Sequence, residues 1–449
     1  MTIWRNRDFR WFWAGQSVSM VGSQVTTFAV PVLAITALGA DPARLGLLRA
    51  VEFLPFLVLT LPAGLWVDRH PPRPAMIAAN LLRAALVAAV ALAGIAGVLH
   101  LTGLAVALLL IGAATVVFDV AYLSYLPVIA GRDQLVDGNS RLSVSASVAD
   151  VAGPGLAGGL VQVLTAPVTL LLDAASYLIS AGTLLAIRTP DTPPPGTTPR
   201  AGTAAPHGTA VPRRAVVSPA RQVRDGVAVV ARDPYLRTIC LESFTYNFFV
   251  QFGETLVALY ALTVLGLTAG TLGLCIGAGS LGGLAGAVLA PRAVRRFGFG
   301  PTFTGGTALG CAAPVLVPLA GAGAGASPLA AGALIAAAYL ITGFGVTISV
   351  IGSVTLRQGV APPHLLGRVN AVMRLASYAA IPLGAAVTGV VATAFGVRTG
   401  LFVGAAGLLL PTVILLLSPV PRLKGLLGVV PSPASGVEDD HKRRYDSGS

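Results

Sequence analysis

The chain has 449 residues, 55% apolar and only 11% charged, with a formal net charge of +12 and a mean hydropathy of +0.79. A soluble domain carries about a quarter charged residues, so soluble and disordered classes are excluded for most of the length. A positive excess of this size would suggest nucleic acid in a soluble protein. Here the charges sit in short segments between apolar runs, where Lys and Arg set topology, and no nucleic-acid partner is expected.

The first apolar run follows Arg5, Arg7 and Arg10, as in a signal peptide. It is too long for one, lacks a small-residue cleavage site and is followed by further spans, so it is expected to stay as the first helix. Breaking the runs at turn and charge clusters predicts spans over 12–39, 45–66, 74–97, 102–126, 140–165 and 167–188. A second set follows over 236–265, 269–290, 301–322, 328–353, 369–393 and 398–418. The expected fold is an all-α membrane protein of 12 transmembrane helices in two six-helix pseudo-repeats. Its expected parts are an N-terminal bundle (1–188), a cytoplasmic linker (189–233), a C-terminal bundle (234–420) and a disordered tail (421–449). From about Ser218-Pro219 the linker reads as a short helix on the membrane surface, with Val223, Val227 and Val230 on one face, or as linker that happens to be amphipathic.

With a cytoplasmic N-terminus, the inside segments hold 26 of the 30 basic residues. Outside lie Arg44, Arg49 and Arg398, and Arg83 falls within the third span. This bias predicts both termini in the cytoplasm of a multi-pass plasma (inner) membrane protein. Cys240, Cys275 and Cys311 lie in apolar runs at spacings of no metal site and read as core packing. No metal and no cofactor are expected.

Matching loops suggest a parallel duplication. Leu135-Val136-Asp137-Gly138-Asn139 leads into span five, and Leu365-Leu366-Gly367-Arg368-Val369-Asn370 leads into span eleven. Asp68-Arg69-His70-Pro71-Pro72-Arg73 follows span two, and the basic, turn-like Pro291-Arg292-Ala293-Val294-Arg295-Arg296-Phe297-Gly298 follows span eight.

These residues resemble the major facilitator superfamily. Gly64-Leu65-Trp66-Val67-Asp68-Arg69 with Arg73 is similar to its loop signature between spans two and three, although Pro71 and Pro74 replace a Gly and a basic residue. Gly153-Pro154-Gly155 in span five resembles the Gly-Pro signature of proton-coupled exporters, without its upstream glycines. The usual Arg of span four is missing, and Asp119 is the charged residue there. Leu356-Arg357-Gln358 through Gly367-Arg368 to Pro382-Leu383-Gly384 resembles the enterobactin-exporter-like and macrolide-efflux branch. The resemblance implies that Asp68, with Gly64, Arg69 and Arg73, latches the cytoplasmic side against the N-terminal end of span eleven near Arg368. Helix N-termini offer the free N–H groups that such a carboxylate needs. The alternative is an ordinary charged turn. Gly153 and Pro154 are candidate helix-bending residues.

Ionisable residues at bilayer depth are functional candidates. Glu52, Asp119, Asp150 and Glu254 are the candidates for proton coupling, because burial disfavours a carboxylate's charged form and favours proton uptake. Each reads alternatively as a carboxylate neutralised by Arg or capped by backbone, Asp150 reads also as a packing or latch residue on its stripe, and Asp173 reads as structural. Polar stripes in spans one and seven make Gln16, Ser23, Thr27, Asn247 and Gln251 candidate cavity-lining residues, or helix-packing contacts. The resemblance implies that spans one, four, seven and ten surround the cavity.

The function expected is secondary active export of a small amphipathic or apolar compound by proton antiport and alternating access. Proton-coupled uptake on the same fold is the alternative. Its partners would be that compound, protons and lipid, acting on a monomer. Neither of the two lysines, Lys424 and Lys442, lies in a phosphate-binding loop, and the five histidines form no metal pattern, so no enzyme is expected.

Overall fold

The computed structural model describes residues 3–67, 69–131, 134–189, 219–321, 327–362 and 365–424. Six long helices form the first bundle: α1 Arg7–Thr36, α2 Pro42–Val67, α3 Pro72–Ile95, α4 Leu101–Ala130, α5 Leu135–Leu164 and α6 Ala166–Ala186. A shorter helix, α7 Pro219–Arg232, precedes the second bundle. That bundle has α8 Pro234–Leu259, α9 Ala269–Phe297, α10 Phe299–Ala312, α11 Leu316–Leu319, α12 Pro328–Val360, α13 Leu366–Phe395, α14 Val397–Gly407 and α15 Leu409–Leu416. A π turn at Tyr260–Val264 extends α8. α10 with α11, and α14 with α15, form one broken apolar segment each, Phe299–Leu319 and Val397–Leu416.

Among the described residues, eleven of these segments are long and apolar enough to cross a membrane. The expected count was 12; α2 is not among the eleven, and its 26 residues extend about 39 Å at 1.5 Å per residue. Helix is the form that lets a segment in lipid satisfy its own backbone polar groups. Large apolar side chains such as Val163, Leu329 and Leu417 point outward, as a lipid-facing surface requires.

Caps tie the helix ends together on one face. The Asn6 side chain accepts from the Asp8 and Phe9 amides and donates to the Ile129 carbonyl at 2.8 Å. Asp8 in turn accepts from the Arg188 and Thr189 amides, which joins α1 to the end of α6. This face also carries α7 and is called the linker face below; the other is the distal face. α7 is docked on the second bundle. Val230 is buried with Leu236, Ile239 and Val372, and Gly226 lies against the Arg368 backbone. Val227 is exposed, and the Val223 side chain lies outside the described residues.

Three expectations are corrected. Pro291–Phe297 is not a turn: α9 continues through it to Phe297, with Pro291 inside the helix. Residues 135–139 and 366–370 are likewise first turns of α5 and α13, not loops. The C-terminal tail does not begin at 421. The Gly300 amide donates to the Leu423 carbonyl at 2.8 Å and Gly298 lies against Lys424, so the chain is held to Lys424. Residues 425–449 lie outside the described residues.

The two bundles meet along α2–α13 and α5–α9, through glycines near the distal face. A Cβ on Gly46 would lie 2.5 Å from the Ala385 carbonyl and 2.9 Å from Gly389 Cα. A Cβ on Gly158 would lie 2.6 Å from the Ala269 carbonyl and 2.9 Å from Gly273 Cα. The reciprocal contacts go to the carbonyls of Pro42 and Pro154. In all four cases the carbonyl belongs to the residue four positions before the partner glycine. The same crossing is thus built twice, with α2 matching α9 and α5 matching α13. Toward the linker face the halves part. The α2–α13 contact runs to Phe56 and Tyr378, whose ring centroids are 5.5 Å apart, while among the described residues no atom lies within 4 Å of a Cβ on Gly64 or Gly367.

Between α5 and α6 the chain turns at Thr165, with φ 75° and ψ 157°. It is the sole non-glycine residue with positive φ among the described residues. Glycine occupies the matching place after α13, at Gly396. This backbone region suits glycine alone and costs other residues about 1–3 kcal/mol. Thr165→Gly is expected to stabilise the protein by about 1 kcal/mol, seen as a raised unfolding midpoint in detergent, with no gain for Thr165→Ala.

Candidate functional site

Two cavities flank the seam. The smaller, of about 290 Å³, is lined by α1, α3, α4 and α5. Gln16, Ser23, Arg83, Asp119 and Asp150 all border it. The larger, of about 510 Å³, lies among α5, α8, α9, α12 and α14. Its wall carries Tyr246, Phe249 and Tyr339, with the carboxylates of Asp150 and Glu254. Asp150 therefore borders both.

In the first cavity, Arg83 is the cation and is almost fully buried. Its guanidinium lies 4.3 Å from the Phe118 ring centroid and 4.4 Å from that of Tyr177. It donates to the Asn80 side chain, whose amide donates to Ser180 Oγ at 3.0 Å. Rings on two sides hold the cation, and among the described residues no carboxylate comes within ion-pair distance of it. Asp119 projects from α4 and makes no hydrogen bond or ion pair among the described residues. It is the one candidate carboxylate left open to a proton or a cation. Asp150 accepts from the Gln24 side chain, and its backbone carbonyl accepts from Ser280 Oγ across the seam at 2.6 Å.

The other candidates are placed as follows. Thr27 and Glu52 border a third, small pocket at the distal end of the seam. Ser23 Oγ is 3.1 Å from the Tyr177 hydroxyl. Asn247 donates to the Ser243 carbonyl at 2.8 Å, and Gln251 is buried with a weak bond to the Asn247 carbonyl, so neither borders these cavities. Asp173 is fully buried and accepts from Ser176 Oγ at 2.9 Å and from Thr26. Gly153 lies against the Gln24 side chain, where a Cβ would come within 2.5 Å, so it seats α5 on α1; Pro154 lies within α5.

At the linker face, Arg73 donates to the carbonyls of Leu184 and Leu185 at 2.9 and 3.0 Å, closing the end of α6. Arg69 is exposed. Asp68 lies outside the described residues.

Sequence reading missed Arg49, which it assigned to an outer loop. Arg49 sits on α2 and reaches Glu52 at 3.2 Å and Glu254, in the other bundle, at 3.5 Å. The signal was present in its spacing, since Arg49 and Glu52 stand three apart on one helix face. Glu242 was also left unassigned. It is buried in the second bundle and accepts from Ser349 Oγ at 3.3 Å.

The family model of the Major Facilitator Superfamily matches residues 12–385. The chain belongs to that superfamily. As a superfamily member it has the fold of a multi-pass membrane transporter. Macrolide efflux protein A of Streptococcus pyogenes is 24% identical over 182 residues, which cover 40% of this chain. The chain spans 45% of that relative's length. Among solved structures, a bacterial homologue of the iron transporter ferroportin in its inward-facing state is 18% identical, with a TM-score of 0.70. The match covers 91% of this chain and 98% of that one. The same homologue in its outward-facing state, with equal coverage, gives 0.55. These likenesses carry the fold.

Arg83→Ala removes both ring contacts of the buried cation. It is expected to cost about 2 kcal/mol, read as a lowered unfolding midpoint in detergent, and Arg83→Lys should recover part of the loss.

Proposed function

We propose that this transporter exports a small amphipathic compound in exchange for protons. The observation that carries the reading is Asp119, a carboxylate bordering a cavity with no hydrogen-bond or ion-pair partner of its own among the described residues. A group of this kind gains most from a proton or a cationic substrate, and it cannot hold both. Proton entry then expels the substrate. The weak likeness to a macrolide efflux protein supports export over uptake.

The linker face is assigned to the cytoplasm of the plasma membrane, with both termini on that side, because the basic residues gather there. The halves then meet on the outside and part toward the inside, an inward-facing arrangement. α2 is the twelfth span, and the two matching glycine crossings support two six-helix repeats acting as rocking bodies in a monomer. Asp68 is the inner latch, engaging the start of α13 near Arg368 when the inner side closes.

In inverted vesicles with an acid interior, the protein should accumulate compounds from an amphipathic panel. Asp119→Asn should reduce that accumulation to the level of transporter-free vesicles while leaving the inserted amount unchanged. Flux that runs only downhill and ignores pH would sink the coupling, and movement only in the opposite sense would favour uptake.

Asp68→Asn should slow transport with unchanged insertion. Full transport by that variant at normal expression would remove the latch.

A further inference from the structure

Glu254 stands between two unlike surroundings. On one side is the larger cavity, whose wall includes no Lys, Arg or His among the described residues. Its two carboxylates, Asp150 and Glu254, share that wall with Tyr246, Phe249 and Tyr339. Aromatic faces and carboxylates both attract a cation, and an otherwise apolar wall rejects a small hydrated one. The volume of about 510 Å³ suits a drug-sized molecule.

On the other side is the distal seam, where Arg49 reaches Glu254 at 3.5 Å. Arg49 has two further contacts, Glu52 at 3.2 Å and the Phe53 ring centroid at 4.7 Å. Both lie on its own helix. Only the Glu254 contact joins the two bundles. If that contact breaks, the cation stays paired within α2, so opening does not strand a lone charge. The Glu254 carboxylate, 44% exposed, is then open to another cation.

We propose that a lipophilic cation bound in the larger cavity takes Glu254 from Arg49, and that this exchange releases the distal gate. The proposal rests on the exporter reading and names its substrate class. Arg49 and the substrate then compete for one carboxylate, so gate closure and cation affinity oppose each other equally in both directions.

Tetraphenylphosphonium is the probe, with the full-length protein in nanodiscs. Arg49→Ala should bind it about three- to tenfold tighter than the wild type, and Arg49→Lys should stay close to the wild type. Glu254→Gln should bind it more weakly. The gate is read with Leu48→Cys, a buried position in the seam pocket beside Arg49. Its labelling by an impermeant maleimide should rise when the cation is added, and should be high without it in the Arg49→Ala background. Absence of binding by the wild type, or unchanged or weaker binding by Arg49→Ala, overturns the proposal. So does equal labelling produced by neutral triphenylphosphine oxide. Binding with no Arg49 effect, together with intact pH-driven export, would sink the exchange alone. An Arg49 effect without pH-driven export would sink the exporter reading alone.

Discussion

Close backbone contact at four glycines is the constraint on which the rest of the arrangement depends. Helices in lipid gain nothing from hiding apolar surface against each other, since the lipid is equally apolar. Association must come from packing, and packing improves when backbones approach. Gly46 against Gly389 and Gly158 against Gly273 supply that approach at one end of the molecule. With the distal ends pinned, the opposite ends of α2, α5, α9 and α13 are free to part, and the two cavities lie where they do. Asp150 borders both cavities because α5 is one of the pinned helices.

The polar groups near the seam divide into paired and unpaired sets. Asp173 is satisfied by hydroxyls, and Arg83 by rings and an amide. These groups hold the first bundle together. Asp119 has no such partner, and Glu254 shares a single cation with Glu52. A rocking transporter needs this division. Groups within a bundle travel together and can be bonded permanently, while groups at the seam must exchange partners during the cycle.

Much of the helix plan was legible in the sequence because lipid enforces long apolar runs. The expected spans 45–66 and 269–290 correspond to α2 Pro42–Val67 and α9 Ala269–Phe297. The shortfall at the end of α9 has a plain cause: Arg292, Arg295 and Arg296 look like a loop by charge, yet they continue the helix into the interface. Arg49 was misread for a related reason. A topology count treats every arginine near a span end as a loop charge, whereas this one turns inward to a carboxylate on another helix. Contacts between bundles depend on helix rotation and tilt, which no local pattern reports. Asn247 and Gln251 share the stripe of Glu254, yet they bond to their own helix.

The glycine crossings and the Arg49–Glu254 contact hold the same seam by different physics. Carbonyls lying where a glycine's Cβ would stand hold the helices by close fit alone. An ion pair weakens as electrolyte screens it, with a Debye length of about 8 Å at physiological ionic strength. Salinity outside the cell therefore acts on one fastening and leaves the other untouched. A cell in brine and a cell in fresh water would carry the same protein with its resting balance between the two open forms set differently.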